Sequence, residues 1–323
     1  MKVLRFIFKL APLLLWVGLI YSCDVNRQND LEPSPGTGKV VISITDAPFP
    51  ADLVDEVKVT IDRVELRIAG GGCTTENGDA VGEENDKDKV KDTDKDKDKD
   101  KKKGFDYSDF DCDSGFVVIS KKSKTIDLLK LQNGISEILA EDTIPVGVYD
   151  MIRLHVVDAT IVIEGNSSFP LKIPSGTSSG LKIKLDTLLT VTEEGVSEVL
   201  VDFDLSRSFI VKGNPHNKKG ITGFMFKPVI RAVNKSLSGS IYGKVVEGDT
   251  TAVPQVLVTI LQGDSTLATS LTNNRGMYEV TGIPTGSYNL KAEKEGFQTA
   301  TLNNVKVNKK SRVRKDIRLV RQP

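Results

Sequence analysis

Along most of this chain apolar and polar residues alternate with a period of two, the spacing that puts one face of a β-strand inward and the other outward. Lys39-Val-Val-Ile-Ser-Ile-Thr45 is rich in β-branched residues and stops at the turn signal Asp46-Ala-Pro48. Val57 to Ile68 alternates apolar with polar, and a slip of one residue there would expose its whole apolar face. Phe116–Ile119, Met151–Ile163, Leu181–Leu185, Leu188–Thr192, Glu198–Leu205 and Phe224–Val233 read as further strands. The spacing of apolar residues in Gly134-Ile-Ser-Glu-Ile-Leu-Ala140 predicts one short helix. A second series follows: Ser240–Val246, Val256–Leu261, Thr266–Thr272, Met277–Thr281, Ser287–Glu293, Thr299–Val307 and Arg312–Leu319. Asn273-Asn-Arg-Gly276 and Ile283-Pro-Thr-Gly-Ser-Tyr288 supply the turns between them. The expected fold is all-β: two antiparallel β-sandwich domains in tandem, the C-terminal one small and seven-stranded.

The N-terminus breaks this pattern. Lys2, Arg5 and Lys9 precede an uncharged run from Leu10 to Tyr21. A spanning helix needs about 20 apolar residues, so the shorter run reads as a secretory signal over residues 1–22. It ends Ile20-Tyr-Ser-Cys23, which resembles the lipobox of bacterial lipoproteins, with a bulky Tyr21 as its one departure. The resemblance implies cleavage before Cys23, a diacylglyceryl thioether on that cysteine, and a membrane partner reached through lipid, palmitate included. Residues 23–38 would then be the lipidated N-terminus and a polar, Pro- and Gly-containing tether. The expected location is the bacterial cell envelope, at the outer membrane, with the periplasmic or surface face left open.

Export changes the charge and cysteine accounts. The chain carries 44 basic and 44 acidic side chains, and loss of the leader leaves 41 against 44. So mild a charge implies neither nucleic acid nor an anionic membrane as a partner. With Cys23 lipidated, Cys73 and Cys112 remain as an even pair in an oxidising compartment, and a disulfide between them is expected. The disulfide would close a charged insert, about 74–111, and stabilise by about 4 kcal/mol on the chain-entropy view. Within the insert, Asp86 to Lys103 alternates Asp with Lys, as a solvated disordered loop does. Asp92, Asp94, Asp96 and Asp98 echo the spacing of a calcium loop. The intervening lysines, the missing glycine and Lys103 at the place of the final glutamate argue against calcium.

Two series of motifs carry family resemblances. Ile44-Thr-Asp-Ala-Pro48, Val57-Lys-Val-Thr-Ile-Asp-Arg-Val64, Asp127-Leu-Leu-Lys-Leu-Gln-Asn-Gly134 and Pro145-Val-Gly-Val-Tyr149 open the first. Val201-Asp-Phe-Asp204 with Arg207-Ser208, and Phe226-Lys-Pro-Val-Ile-Arg231, complete it. Residues 39–235 thus resemble the bacterial envelope domain of unknown function DUF4382, which implies a β domain in exported lipoproteins and no assigned activity. Gly243-Lys-Val-Val246, Thr272-Asn-Asn-Arg-Gly-Met-Tyr278, Gly282-Ile-Pro-Thr-Gly-Ser-Tyr288 and Ala292-Glu-Lys-Glu-Gly-Phe297 lie in the second region. Residues 239–320 resemble the carboxypeptidase regulatory-like domain, a transthyretin-like sandwich also grouped with carbohydrate-binding-like folds. That resemblance implies a structural or binding module without catalytic residues.

Candidate chemistry is sparse. His155 falls inside a strand and His216 in the turn Asn214-Pro-His-Asn-Lys-Lys-Gly220, with no Cys or carboxylate at ligand spacing. Asp202 and Asp204 share one strand face around Phe203 and read as its polar side, with Arg207 available to pair with them. No nucleophile elbow, phosphate loop or zinc-protease helix occurs. The reading is a lipid-anchored, non-catalytic binding, adhesion or structural protein with no cofactor and no metal, whose partner is an envelope protein or a glycan. The alternatives are a carbohydrate-binding lipoprotein and an accessory protein of a hydrolase system. The only tryptophan, Trp16, leaves with the leader. A sugar platform would therefore need Tyr242, Tyr278 and Tyr288 exposed on one face.

Overall fold

The computed structural model describes residues 36–47, 54–70, 110–111, 114–163, 167–173, 179–214 and 220–323. Cys23, Cys73, Cys112 and His216, and with them the leader, the tether, the disulfide and the aspartates of the charged insert, lie outside the described residues. What is described is all-β, as the alternation predicts, and belongs to one compact unit.

Among the described residues the first domain holds thirteen strands. They are β1 (Thr37–Ala47), β2 (Val54–Ile68), β3 (Phe110–Asp111), β4 (Phe116–Ser120), β5 (Lys124–Asp127), β6 (Glu137–Pro145) and β7 (Gly147–Ile163). Then come β8 (Ser167–Pro170), β9 (Leu181–Val191), β10 (Val196–Asp204), β11 (Phe209–Gly213), β12 (Ile221–Phe226) and β13 (Ile230–Asn234). Eleven of them form one sheet in the order β3-β4-β2-β7-β9-β13-β10-β1-β6, with β5 also on β2 and β8 on β7. The sheet curls until β4 and β6 approach each other, and Lys124 bridges that seam by an ion pair to Glu137 at 2.8 Å. One apolar cluster fills the interior, including Val40, Ile42, Leu66, Ile152, Leu154 and Phe203. Pairing is mixed rather than wholly antiparallel, because β1 lies parallel to β10 and β13 parallel to β9. β11 and β12 pair only with each other, and Phe209, Phe224 and Phe226 bury their rings against the same core.

The expected helix over Gly134–Ala140 does not form. Asn133 and Gly134 both take left-handed φ angles, 57° and 81°, and reverse the chain after a 3-10 turn at Leu128–Leu131. Glu137 onward then joins the free edge of β1, with Ile44 opposite Glu137 and Ile42 opposite Ala140. Ile135 and Ile138 stay more than half exposed, so the helical spacing had no apolar surface to cover. Likewise the single strand expected over Phe224–Val233 is two, broken at Lys227–Val229 around Pro228, which has no N–H to give a ladder.

The second domain is a sandwich of two sheets, with strands β14 (Ser238–Glu247), β15 (Thr251–Ala252), β16 (Leu257–Gln262), β17 (Ser265–Leu271) and β18 (Met277–Pro284). It ends with β19 (Gly286–Glu293), β20 (Ala300–Val307), β21 (Arg312–Arg314) and β22 (Ile317–Leu319). One sheet centres on β14, flanked by β15 and β18 with β21 and β22 on its other edge; the other runs β17-β16-β19-β20. Ile241, Val258, Ile260, Tyr278, Leu290 and Ile317 fill the space between them. The last expected strand, Arg312–Leu319, is split because the chain crosses over Gly243 at Lys315. There the Lys315 N–H donates to Tyr242 O at 2.7 Å, and Lys315 O accepts from Tyr278 OH at 2.5 Å. A β-carbon on Gly243 would sit 1.8 Å from Lys315 O. Gly243→Ala is therefore expected to destabilise the chain by about 1–3 kcal/mol through overpacking. Denaturant unfolding checks this, with Gly248→Ala as control: Gly248 has open space and only a φ of 61° to strain. Equal losses in the two variants would refute the steric account.

Candidate functional site

Among the described residues, a cluster of buried ionisable groups lies where the two domains meet, at the C-terminal ends of β1 and β10. The two strands run parallel in register, Thr45 beside Asp202 and Ala47 beside Asp204, so Asp46, Asp202 and Asp204 gather at one sheet end. All three carboxylates are buried, although Asp202 and Asp204 read from sequence as a solvated polar face. The correction has a tertiary cause. Residues of β17 and β18 close over that end, and Thr269, Glu279, Val280 and Thr281 line a cavity of about 10 Å³ together with Thr45, Asp46, Gly134 and Asp202.

Each carboxylate except one has its own cation. Asp202 accepts from Arg231 Nε at 3.2 Å and forms a second contact with the same guanidinium. Burial still raises its affinity for a proton, opposed chiefly by Arg231. Asp204 caps the single turn Leu205–Ser208, accepting from Arg207 N at 3.1 Å and Arg207 Nε at 2.6 Å, as the expected Arg207 pairing requires. Glu279 is held in a fork by Arg312 at 3.0 and 2.8 Å, and Asp127, at the end of β5, pairs with Lys130 at 3.2 Å. Asp46 differs. Its Oδ1 accepts one long bond from Leu205 N at 3.4 Å, and its Oδ2 has no hydrogen-bond partner. Burial first, then the charges of Asp202, Asp204 and Asp127, push its pKa well above the ordinary carboxylate range.

The same residues tie the domains together. Ser206 and Asp204 approach Thr269 Oγ1 at 3.4 and 3.5 Å, Arg207 donates to Thr266 O at 3.3 Å, and Arg231 donates to Gly282 O at 3.4 Å. Ser270 donates to Asn133 Oδ1 at 3.3 Å and Thr285 to Leu237 O at 3.2 Å. The interface is thus a polar joint around a sealed acidic centre. Among the described residues, no three His, Cys, Asp or Glu side chains are placed to share a metal ion.

The other sequence candidates lie apart from it. His155 is buried on β7 beside Gly180, and β9 and β13 separate β7 from β10 in the sheet. Tyr278 and Tyr288 are buried, their hydroxyls donating to Lys315 O and Pro284 O, and burial raises both phenol pKa values. Tyr242 is half-buried under the Arg312 guanidinium, 3.8 Å from its ring centroid. The three tyrosines therefore form no exposed row. Asp46, Arg231 and Glu279 carried no chemical signal in the sequence: Asp46 read as part of a turn, and the arginine that answers Asp202 lies 29 residues away.

Comparison with known proteins bears on the architecture. The family model for the carboxypeptidase regulatory-like domain matches residues 240–320. No curated protein matches the chain. Among solved structures it is similar to a type II cohesin–X-dockerin complex, an interface mutant from Acetivibrio cellulolyticus, at 17% identity and a TM-score of 0.22. That match covers 26% of this chain and spans 58% of the other. It is also similar to GBS52, the minor pilin of Streptococcus agalactiae (12% identity, TM-score 0.22, 88% of this chain and 96% of that one). A third is the shaft pilin SpaA of Lactobacillus rhamnosus GG (10% identity, TM-score 0.24, 89% and 98%). The identities and scores are low, and the assignment rests on the family match. The model for the domain of unknown function DUF4382 covers residues 37–228, more than half of the chain, which therefore belongs to the DUF4382 family.

Proposed function

We propose that this chain is a non-catalytic structural or adhesion module of the bacterial cell envelope, carried on lipid at Cys23 and held off the membrane by residues 24–38. The observation that carries the reading is the joint. The acidic residues best placed for chemistry are committed to ion pairs inside each domain, Asp202 with Arg231 and Asp204 with Arg207 in the first and Glu279 with Arg312 in the second. Arg231, Arg207 and Asp204 also reach across to Gly282 O, Thr266 O and Thr269 Oγ1. A rigid tandem on a tether suits presentation of a surface to a partner outside the bilayer. The proposed Cys73–Cys112 disulfide would pin the base of the charged insert, so that it could vary without disturbing the sheet.

Two experiments test this. Radioactive palmitate should label the wild type and not Cys23→Ala, and the variant should move to the soluble fraction, because several acyl chains anchor stably where one does not. Unchanged labelling would refute the anchor. Crosslinking on intact cells should then capture a defined envelope protein at the surface of the wild-type chain. Retention on a glycan array without such a protein partner would replace the adhesion reading with a carbohydrate-binding one.

A further inference from the structure

We propose that the joint between the two domains is latched by a proton held on Asp46, and that it loosens as pH rises. The inference is independent of the display role and rests on charge balance inside the joint. Around Asp46, β10 presents Asp202 and Asp204, the following turn presents Arg207, β13 presents Arg231, the end of β5 presents Asp127 with Lys130, and β18 presents Glu279 with Arg312 from β21. Four carboxylates and four cations cancel, and Asp46 is left over, with no ion pair among the described residues.

A buried, uncompensated carboxylate is costly, and such a group neutralises instead. A proton on Oδ2 does this and converts an acceptor without a partner into a donor. The cavity that Asp46 lines, about 10 Å³, is completed by Thr45, Gly134 and Asp202 from the first domain and by Thr269, Glu279, Val280 and Thr281 from the second. Because Thr269, Glu279 and Thr281 belong to the second domain and Asp46 to the first, losing that proton places an unbalanced negative charge across the interface itself.

The sign follows from linkage. A carboxyl with a raised pKa in the fold carries no penalty below its unfolded value, about 3.9. Stability then falls as pH climbs from there toward the folded value, above which the penalty is constant. Elevation of the Asp46 pKa by burial and by its acidic neighbours agrees in direction.

The test uses the full chain in detergent and its Asp46→Asn variant, which keeps the shape and a donor but cannot ionise. Trypsin has a target at Lys235, in the 3-10 turn Lys235–Leu237 that links the domains. Cleavage at Lys235, measured for both proteins at each pH so that the protease's own profile cancels, should accelerate in the wild type relative to the variant. About five- to tenfold is expected between mildly acidic and mildly alkaline pH, the low end of ordinary site–site coupling. A constant ratio would overturn the proposal. So would calcium slowing wild-type cleavage at alkaline pH without affecting the variant, since a cation would then be the native counter-charge. Should the variant fail to fold, carboxyl-carbon NMR titration of the wild type decides: an Asp46 signal that titrates in the ordinary aspartate range refutes the latch, and one protonated near neutral pH upholds it.

Discussion

Arg153→Ala is expected to lower the free energy of unfolding by about 3–5 kcal/mol, the range for removing one partner of a buried ion pair. Glu65 on β2 is 2% exposed and lies directly opposite Arg153 on β7. The guanidinium forks onto it, donating from Nη2 to Oε1 at 2.8 Å and from Nε to Oε2, and packs 3.9 Å above the Phe116 ring. Alanine would leave the glutamate buried and without its fork, with only the Arg63 guanidinium 4.0 Å away, and would uncover the ring as well. Urea unfolding measures the loss. The double variant Glu65→Leu with Arg153→Met should recover most of it, because an apolar pair of similar volume removes the desolvation cost along with the attraction. A single-variant loss below about 1 kcal/mol, the value of a surface pair, would show that Glu65 is solvated.

Phe203→Ala is expected to cost about 3–5 kcal/mol, the usual range for deleting a large aromatic side chain from a packed core. Phe203 has no exposed surface and lies on β10 between the two aspartates of the joint. Its ring belongs to the first domain's apolar core while Asp202 and Asp204 lie at the joint, so one strand braces the core with one face and the joint with the other. Equilibrium unfolding by circular dichroism gives the magnitude, and a loss near the 0.5 kcal/mol typical of surface sites would refute this placement.

The strands were legible because burial of one sheet face leaves a period of two in the sequence. It is plain in Val57-Lys-Val-Thr-Ile61 and again in Val64-Glu-Leu-Arg-Ile68, with the phase moved by one residue where the pairing with β7 shifts register. Ile135 to Leu139 misled because apolar spacing cannot tell a short helix from an edge strand. The left-handed pair Asn133-Gly134 and the open edge of β1 decided it. Arg207 was legible as a partner for Asp202 or Asp204, and the turn after β10 gives it to Asp204, three residues back. Arg231 was not, because its partner Asp202 lies on another strand and the pairing needs the register of β10 with β13.

The sequence by itself determined the all-β class, which follows from local alternation and turn chemistry, and the order of the two domains, which its motifs carry. It also placed Asp202 and Asp204 on one face of their strand. Only the tertiary structure decided that this face is buried. Alternation says which residues point the same way but not what covers them, and here the cover is a second domain. It also brought Asp46 into the same end through the parallel register of β1 and β10. Three acidic residues that local pattern would leave in water thereby became a joint with one charge too many.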